Sequence, residues 1–214
     1  MKARDQAVVL QAASVCLRYP DEALLALMPV VRAAVDALHP GTPRERLGYF
    51  LDTVAATAPE RAAQHYVEVF DTRRRCCLYL TWWTDGETRR RGAALAGLKA
   101  RYRRSGVEFE DSELPDFLPA VLEFAATADL ADGLALLQEN RPGIELLRLA
   151  LLDAGTPYAA PVEAVCALLP GASPADVAAA KALARSGPPR EQVGLDLPTF
   201  TGAPFGALSS GGPA

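Results

Sequence analysis

Residues 70–92 read "FDTRRRCCLYLTWWTDGETRRRG". Two arginine triplets enclose paired cysteines and paired tryptophans, and the reading of the middle, residues 76–84, decides the fold. Its Leu, Tyr and Trp content is that of a strand. A strand needs partners, since even a two-stranded hairpin is marginal in water, and no other stretch of the chain offers a convincing one. The segment is therefore expected to be a buried helix and the protein to be all-α. Composition agrees: Ala and Leu dominate, and alternating Val-Ile-Thr runs are scarce.

Working back toward the N-terminus, Val8, Ala12, Val15, Cys16 and Tyr19 recur at helical spacing, and Pro20 ends that helix. Asp21 caps the next, whose face is Leu24, Leu27, Met28, Val31, Val35 and Leu38. Pro29 inside it is expected to kink or split the helix. After the turn "HPGTP" (39–43), Leu47, Phe50, Leu51 and Val54 mark a third helix. Pro59 opens a fourth, carrying Ala62, Ala63, Tyr66, Val69 and Phe70 on one face. Working forward, residues 87–104 read as a helix with Thr88, Arg91, Leu95, Leu98 and Tyr102 in line. Residues 114–128 read as another, with Leu118, Val121, Leu122 and Ala125 facing inward. Helices near 132–139, 143–153, 159–168 and 174–185 complete a bundle of about ten. The expected organisation is one all-helical domain over residues 1–186. A Gly/Pro/Ser-rich tail over residues 187–214 is expected to be flexible.

The totals narrow the function. The 214 residues carry a net charge of −4, which gives no global attraction to nucleic acid or an anionic membrane. Residues 71–104 hold ten Lys/Arg against three Asp/Glu, but residues 105–145 hold one Arg against ten Asp/Glu. A basic block beside an acidic one is a charge-asymmetric fold, not a phosphate track. Cys16, Cys76, Cys77 and Cys166 form no CxxC pair, which points to free thiols in a reducing compartment. The N-terminal stretch lacks a small-x-small cleavage site and reads as an amphipathic helix, and no charge-free run reaches membrane-spanning length. A cytoplasmic protein is expected.

No catalytic constellation emerges. Cys76 or Cys77 would need a general base, but His39 lies in a Pro-Gly turn and His65 on a polar helix flank. Two histidines and scattered cysteines give no metal-ligand spacing, and neither phosphate-loop pattern occurs. Recognition is left. Trp82 and Trp83 point about 100° apart on a helix, so at most one faces the core squarely and the other is free for a groove. Arg91 falls on an apolar stripe, where a guanidinium must find a carboxylate or backbone carbonyls. Asp116 and Glu113 are the candidate carboxylates. Asp116 and Glu123 are expected on one side of the 114–128 helix, opposite Leu114, Leu118 and Leu122. Glu113 sits at its start, where the dipole favours a carboxylate.

The segments "HYVEVFDTRRRCCLYLTWWTDGETRRRGAALAGLKARYRRSGVEF" (65–109) and "ELPDFLPAVLEFAA" (113–126) together resemble the NarJ family. These are the assembly chaperones of respiratory nitrate reductase, also called its delta subunit, and relatives of the TorD and DmsD chaperones of molybdenum enzymes. The likeness runs over residues 60–128. Glu113, Pro115 and Asp116 match the family pattern, whereas Phe117 stands where the family typically has His.

The resemblance implies an all-α chaperone and not an enzyme. It would bind the N-terminal segment of the apo catalytic (alpha) subunit of nitrate reductase. It would keep that subunit competent for insertion of the molybdenum cofactor, holding no cofactor stably itself. The alternative is a chaperone of the same group serving another molybdenum oxidoreductase. The client would lay an amphipathic helix in a groove. Tyr66, Phe70, Trp82, Leu114 and Phe117 are the expected lining. Arg91, Glu113 and Asp116 would set register through charge, with Asp71 and Glu123 as outer candidates. A monomer is expected.

Overall fold

The computed structural model describes residues 1–86, 88–109 and 113–186. Within them α1 (Ala3–Cys16) runs through the centre of the molecule. Its Val9, Leu10, Ala12, Ala13 and Cys16 are all buried, which is why it packs at once against α2 (Glu22–Asp36), α3 (Thr42–Ala55), α7 (Leu118–Thr127) and α10 (Ala159–Cys166). Each fully buried Leu or Val side chain here is worth about 1.5–3 kcal/mol of transfer free energy. The contact with α7 is fixed by a polar pin: the Ser14 hydroxyl donates to the Pro119 carbonyl at 2.8 Å. Leu118, Val121, Leu122 and Ala125 of α7 are buried, as their spacing predicts.

Asp21 caps α2, its Oδ1 accepting the Leu24 N–H at 2.7 Å. Pro29 does not split this helix, which runs unbroken from Glu22 to Asp36. The residue is exposed, so its ring meets solvent and not a packed neighbour. Leu27 and Val30, at 50% and 68% exposed, are also turned outward, and of the expected face Val35 is the residue of this helix that is fully buried.

α4 (Pro59–Tyr66) does not end at Tyr66 but widens into one π-turn, Val67–Asp71. A 3-10 turn, Arg74–Cys76, follows, and residues 77–79 are extended. The expected helix over 76–84 is thus only half right: α5 is the short piece Leu80–Asp85. The strand-like part has a partner after all, because Tyr79 forms an isolated antiparallel bridge with Phe117. Gly86 then closes α5 with φ +57° and ψ −139°, a conformation that only glycine adopts without strain. α6 (Arg89–Arg104) follows. The helix expected over 114–128 starts four residues later, at Leu118. Residues 116–118 are spent on pairing with 78–81, Leu114 accepts the Phe117 N–H in a turn, and Pro119 sits comfortably in the first turn of α7, where no N–H partner is needed.

α8 (Leu130–Glu139) crosses α7 closely. A Cβ at Gly133 would collide with the Ala125 Cβ and Cα, so only glycine permits that approach. α9 (Arg141–Asp153), α10 and α11 (Val177–Ser186) close the bundle, making eleven α-helices and no strand among the described residues. Residues 187–214, expected to be a flexible tail, lie outside the described residues.

Candidate functional site

The two segments whose sequences drew attention, 77–82 and 113–118, are laced together. The Leu80 N–H donates to the Asp116 carbonyl at 2.9 Å and the Leu118 N–H to the Leu78 carbonyl at 2.8 Å. Behind this seam Asp116 is fully buried. Its Oδ2 accepts the Thr81 N–H at 3.1 Å and the Thr81 hydroxyl at 2.5 Å, and Arg91 Nη2 stands 3.7 Å away. Arg91 Nε also donates to the Thr81 hydroxyl oxygen at 3.1 Å, and its guanidinium lies 5.9 Å from the Tyr79 ring centre. The Pro115 carbonyl accepts the buried Tyr102 hydroxyl at 2.7 Å. Position 113–118 is therefore held from three directions, a rigid base for whatever it presents.

In front of the seam lies a groove made of two adjoining cavities of about 340 and 680 Å³. Tyr66, Glu113 and Phe117 line both. The smaller runs from Phe70 and Asp71 to Leu78, Tyr79 and Trp82, with Arg73, Arg74 and Cys77 on its walls. The larger runs from Arg18 and Tyr19 past Tyr102, Phe109, Phe124 and Glu123. The walls of the groove are paired aromatics: Tyr66 edge-on to Tyr19 (5.5 Å), and tilted pairs of Tyr66 with Phe70 (4.7 Å), Tyr79 with Phe117 (5.4 Å) and Tyr102 with Phe124 (4.7 Å). Such packing holds rings in place without filling the hollow between them. A further concavity of about 500 Å³ beside the α2–α3 turn has no aromatic wall.

The charges are arranged in pairs around the apolar floor. Glu113 Oε1 accepts the Tyr79 hydroxyl at 3.0 Å and the Leu114 N–H at 2.8 Å. Burial, and then the neighbouring Glu113 carboxylate, push the Tyr79 phenol up to about 12, so it stays a donor at neutral pH. Arg18 reaches Glu123 at 2.5 Å on the outer rim, where both are over 40% exposed and the pair contributes little stability. Arg74 lies over the Trp82 ring at 5.5 Å.

Of the residues singled out by sequence, Tyr66, Phe70, Trp82, Glu113 and Phe117 meet in the groove, with Asp71 and Glu123 at its two ends. Arg91 and Asp116 do pair, as expected of one of the two candidate couples. They stand behind the wall, however, and Asp116 does not share a helix face with Glu123 because it precedes the helix. Pro115 is buried beneath, and Leu114, 40% exposed, falls outside both cavities. The tryptophans divide as their 100° offset predicts. Trp82 lines the groove, and Trp83 packs on Gly143 of α9 with its Nε1–H donated to the Cys77 carbonyl at 3.1 Å. Sequence reading missed Tyr79, Tyr102, Phe109 and Phe124. The bridge that aligns Tyr79 with Phe117 joins residues far apart in the chain, and only the density of aromatics around 102–124 hinted at the rest.

Among the described residues no three His, Cys, Asp or Glu side chains converge as a metal site would require. The thiols are structural in character. Burial pushes all four up, most strongly at Cys16 and Cys166, and Cys77 alone is only half-buried. We expect Ellman's reagent to modify Cys77 ahead of the other three. With the thiol raised, the rate should climb roughly tenfold per pH unit between pH 7 and 9. A fast phase that persists in Cys77→Ser would place the accessible thiol elsewhere.

The model of the family described as nitrate reductase delta subunit matches residues 35–164. The nitrate reductase-like protein NarX of Mycobacterium tuberculosis (strain H37Rv) is 43% identical over 159 residues, which are 74% of this chain and 24% of that protein. The chain thus spans about a quarter of that relative's length. A Bacillus subtilis protein named "probable nitrate reductase molybdenum cofactor assembly chaperone NarJ" is 38% identical over 130 residues, covering 61% of this chain and 71% of that one. A solved chain from Archaeoglobus fulgidus, described as a "putative redox enzyme maturation protein", shares the fold. It superposes with a TM-score of 0.57 at 19% identity over 76% of this chain and 92% of its own.

Proposed function

The chain belongs to the nitrate reductase delta-subunit family, and on that premise we propose that it is an assembly chaperone for a respiratory nitrate reductase. In this reading it binds the N-terminal segment of the apo catalytic subunit and keeps that subunit open to insertion of the molybdenum cofactor. The observation that carries the reading is the aromatic groove: two adjoining cavities floored by aromatic rings and rimmed by charge, on a rigid seam, with a fixed carboxylate between them. That is the shape and chemistry that accept one face of an amphipathic helix, read as anchors a turn or two apart. The name of the Bacillus subtilis relative supports the choice of client.

The groove residues need perform no bond-making. Tyr66, Phe70, Trp82 and Phe117 bury the client's apolar anchors. Arg91 and Asp116 hold the wall against which those anchors press. Holding the client in a cofactor-receptive form requires only that this form bind better than the closed one. Phe117 serves such a floor as well as a histidine would, since its ring packs on Tyr79 and contributes apolar area. The working unit in this proposal is residues 1–186, acting as a monomer in the cytoplasm and binding no cofactor of its own. No helix among the described residues is long and apolar enough to cross a membrane.

The test is calorimetric titration of the full chain with a synthetic peptide of the first twenty or so residues of the catalytic subunit from the same organism. We expect one peptide per chain and a negative heat-capacity change, the mark of apolar burial. Trp82→Ala should weaken binding by tenfold or more, as loss of a central aromatic contact does. No measurable binding would overturn the proposal. Binding of the corresponding peptide from another molybdenum enzyme, and not this one, would reassign the client.

A further inference from the structure

Glu113 is the one carboxylate that lines both cavities of the groove. Its two protein donors, the Tyr79 hydroxyl and the Leu114 N–H, converge on a single oxygen, Oε1. No described residue donates to Oε2. A half-buried carboxylate with one oxygen tied and one open, set between two apolar hollows, is built to take a donor from outside. The charges lining the larger cavity fix its sign. In the larger cavity Arg18 is engaged with Glu123, which leaves Glu108 and Glu113 facing the space. The smaller one sets Asp71 and Glu113 against Arg73 and Arg74, with Arg74 over the Trp82 ring, so it is balanced and the larger cavity sets the sign.

From this we infer that Glu113 is the specificity-determining contact of the groove, recognising a lysine or arginine that the bound helix carries between two apolar anchors. This rests on the reading of the groove as a helix-binding site and adds to it the chemistry of the helix. The larger cavity takes one anchor and the smaller the other. The cation crosses Phe117 and Tyr66 between them to reach Oε2. The seam makes the contact selective, because Tyr79 and Leu114 fix the carboxylate and the incoming cation need not order it. A helix with Gln, Leu or Glu at the central position would leave Oε2 without a partner or set two carboxylates face to face.

The experiment is a double-mutant cycle on the full chain with the same catalytic-subunit peptide. Each Lys and Arg of the peptide is changed in turn to Gln and titrated against the parent protein and Glu113→Gln. Glutamine keeps an acceptor for Tyr79, and circular dichroism and melting check that the fold is kept. We expect Glu113→Gln to weaken the parent peptide roughly three- to tenfold, as removal of a partly exposed charge-assisted contact does. One basic peptide position should be coupled to it, so that the double change costs no more than either single one. Glu113→Lys should recover binding when that position is made Glu. The parent affinity should also fall with added salt more steeply than that of Glu113→Gln. The inference is overturned if Glu113→Gln alters affinity by less than twofold, if no basic position is coupled to it, or if the peptide that binds contains no Lys or Arg. Those outcomes leave the chaperone reading standing. Absence of any binding to the parent protein takes down both.

Discussion

Glu145→Ala should remove much of the protein's stability, about 3–5 kcal/mol, the usual cost of stripping one partner from a buried charge network. Glu145 is 0% exposed and lies between two arginines that are themselves nearly sealed, Arg141 at 3% and Arg148 at 8%. Its Oε2 accepts Arg148 Nε at 2.6 Å; its Oε1 accepts the Ser173 hydroxyl at 2.8 Å and, at 3.5 Å, Arg141 Nη2. The arginines pass the connection on. Arg141 donates to the Gly171 and Ala172 carbonyls at 2.8 and 3.0 Å, and Arg148 donates to the Pro174 carbonyl at 2.5 Å. The chain returning from α10 to α11 is strapped to α9 by this network. With alanine at 145, two guanidinium groups stay buried without a counter-charge, and the strap loses its fixed point.

Domains hold only about 5–15 kcal/mol in total, so such a loss should lower the melting temperature by about 6–20 °C for a chain of this size. Glu145→Gln preserves shape and an acceptor and should cost distinctly less, which separates the charge from the packing. The groove should feel the change too. Gly143 of the same helix supports Trp83, and α9 also packs against α5 and the Arg74–Cys76 turn that carry one groove wall. Limited proteolysis is the second readout, with cleavage in 168–176 expected before the rest of the body. A variant that melts with the parent and resists protease equally would mean that the network holds nothing.

This network shows where sequence reading ends. Arg141, Glu145 and Arg148 sit at helical i, i+3 and i+4 spacing, the pattern of a solvated salt-bridge ladder on an exposed face. What makes it a core feature is cover supplied by residues 171–174, about thirty positions further on, and nothing local announces that. Helices with a continuous apolar stripe were legible: α1, α3 and α10 fall close to where periodicity puts them, and α7 does so from Leu118 onward. The errors fall where a distant segment supplied a partner. Residues 77–79 became extended because Phe117 was there to pair with, and α7 starts only at Leu118 because Asp116 and Leu118 are bonded to Leu80 and Leu78. Tyr66, Phe70, Trp82 and Phe117 were legible because Tyr, Phe and Trp beside charge are uncommon on a plain surface, whereas Tyr79, Tyr102, Phe109 and Phe124 were not. Their division into groove lining and supporting wall was not, since it depends on which side of that seam each one falls.

Asp116→Ala should have the second-largest effect, and it tests that division directly. The carboxylate caps the first turn of α5 through the Thr81 N–H, holds the Thr81 hydroxyl and faces Arg91. Its removal leaves a buried N–H and hydroxyl short of an acceptor and a guanidinium without its counter-ion. Arg91 is 23% exposed and can turn partly toward water, which places the expected cost at about 2–3 kcal/mol, below that of a sealed pair. Asp116→Asn keeps the acceptor and loses the charge, so roughly half that cost is expected. Because Asp116 has no exposed surface, any fall in peptide affinity must come through the wall: Tyr79 and Phe117 loosen when the seam behind them does. Affinity and melting temperature should therefore fall together, with Ala worse than Asn in both. Affinity lost at unchanged melting would make Asp116 a contact residue, against its burial. Neither changing would mean that the Asp116–Thr81–Arg91 cluster does not hold the groove wall, and the groove would then need another source of its rigidity.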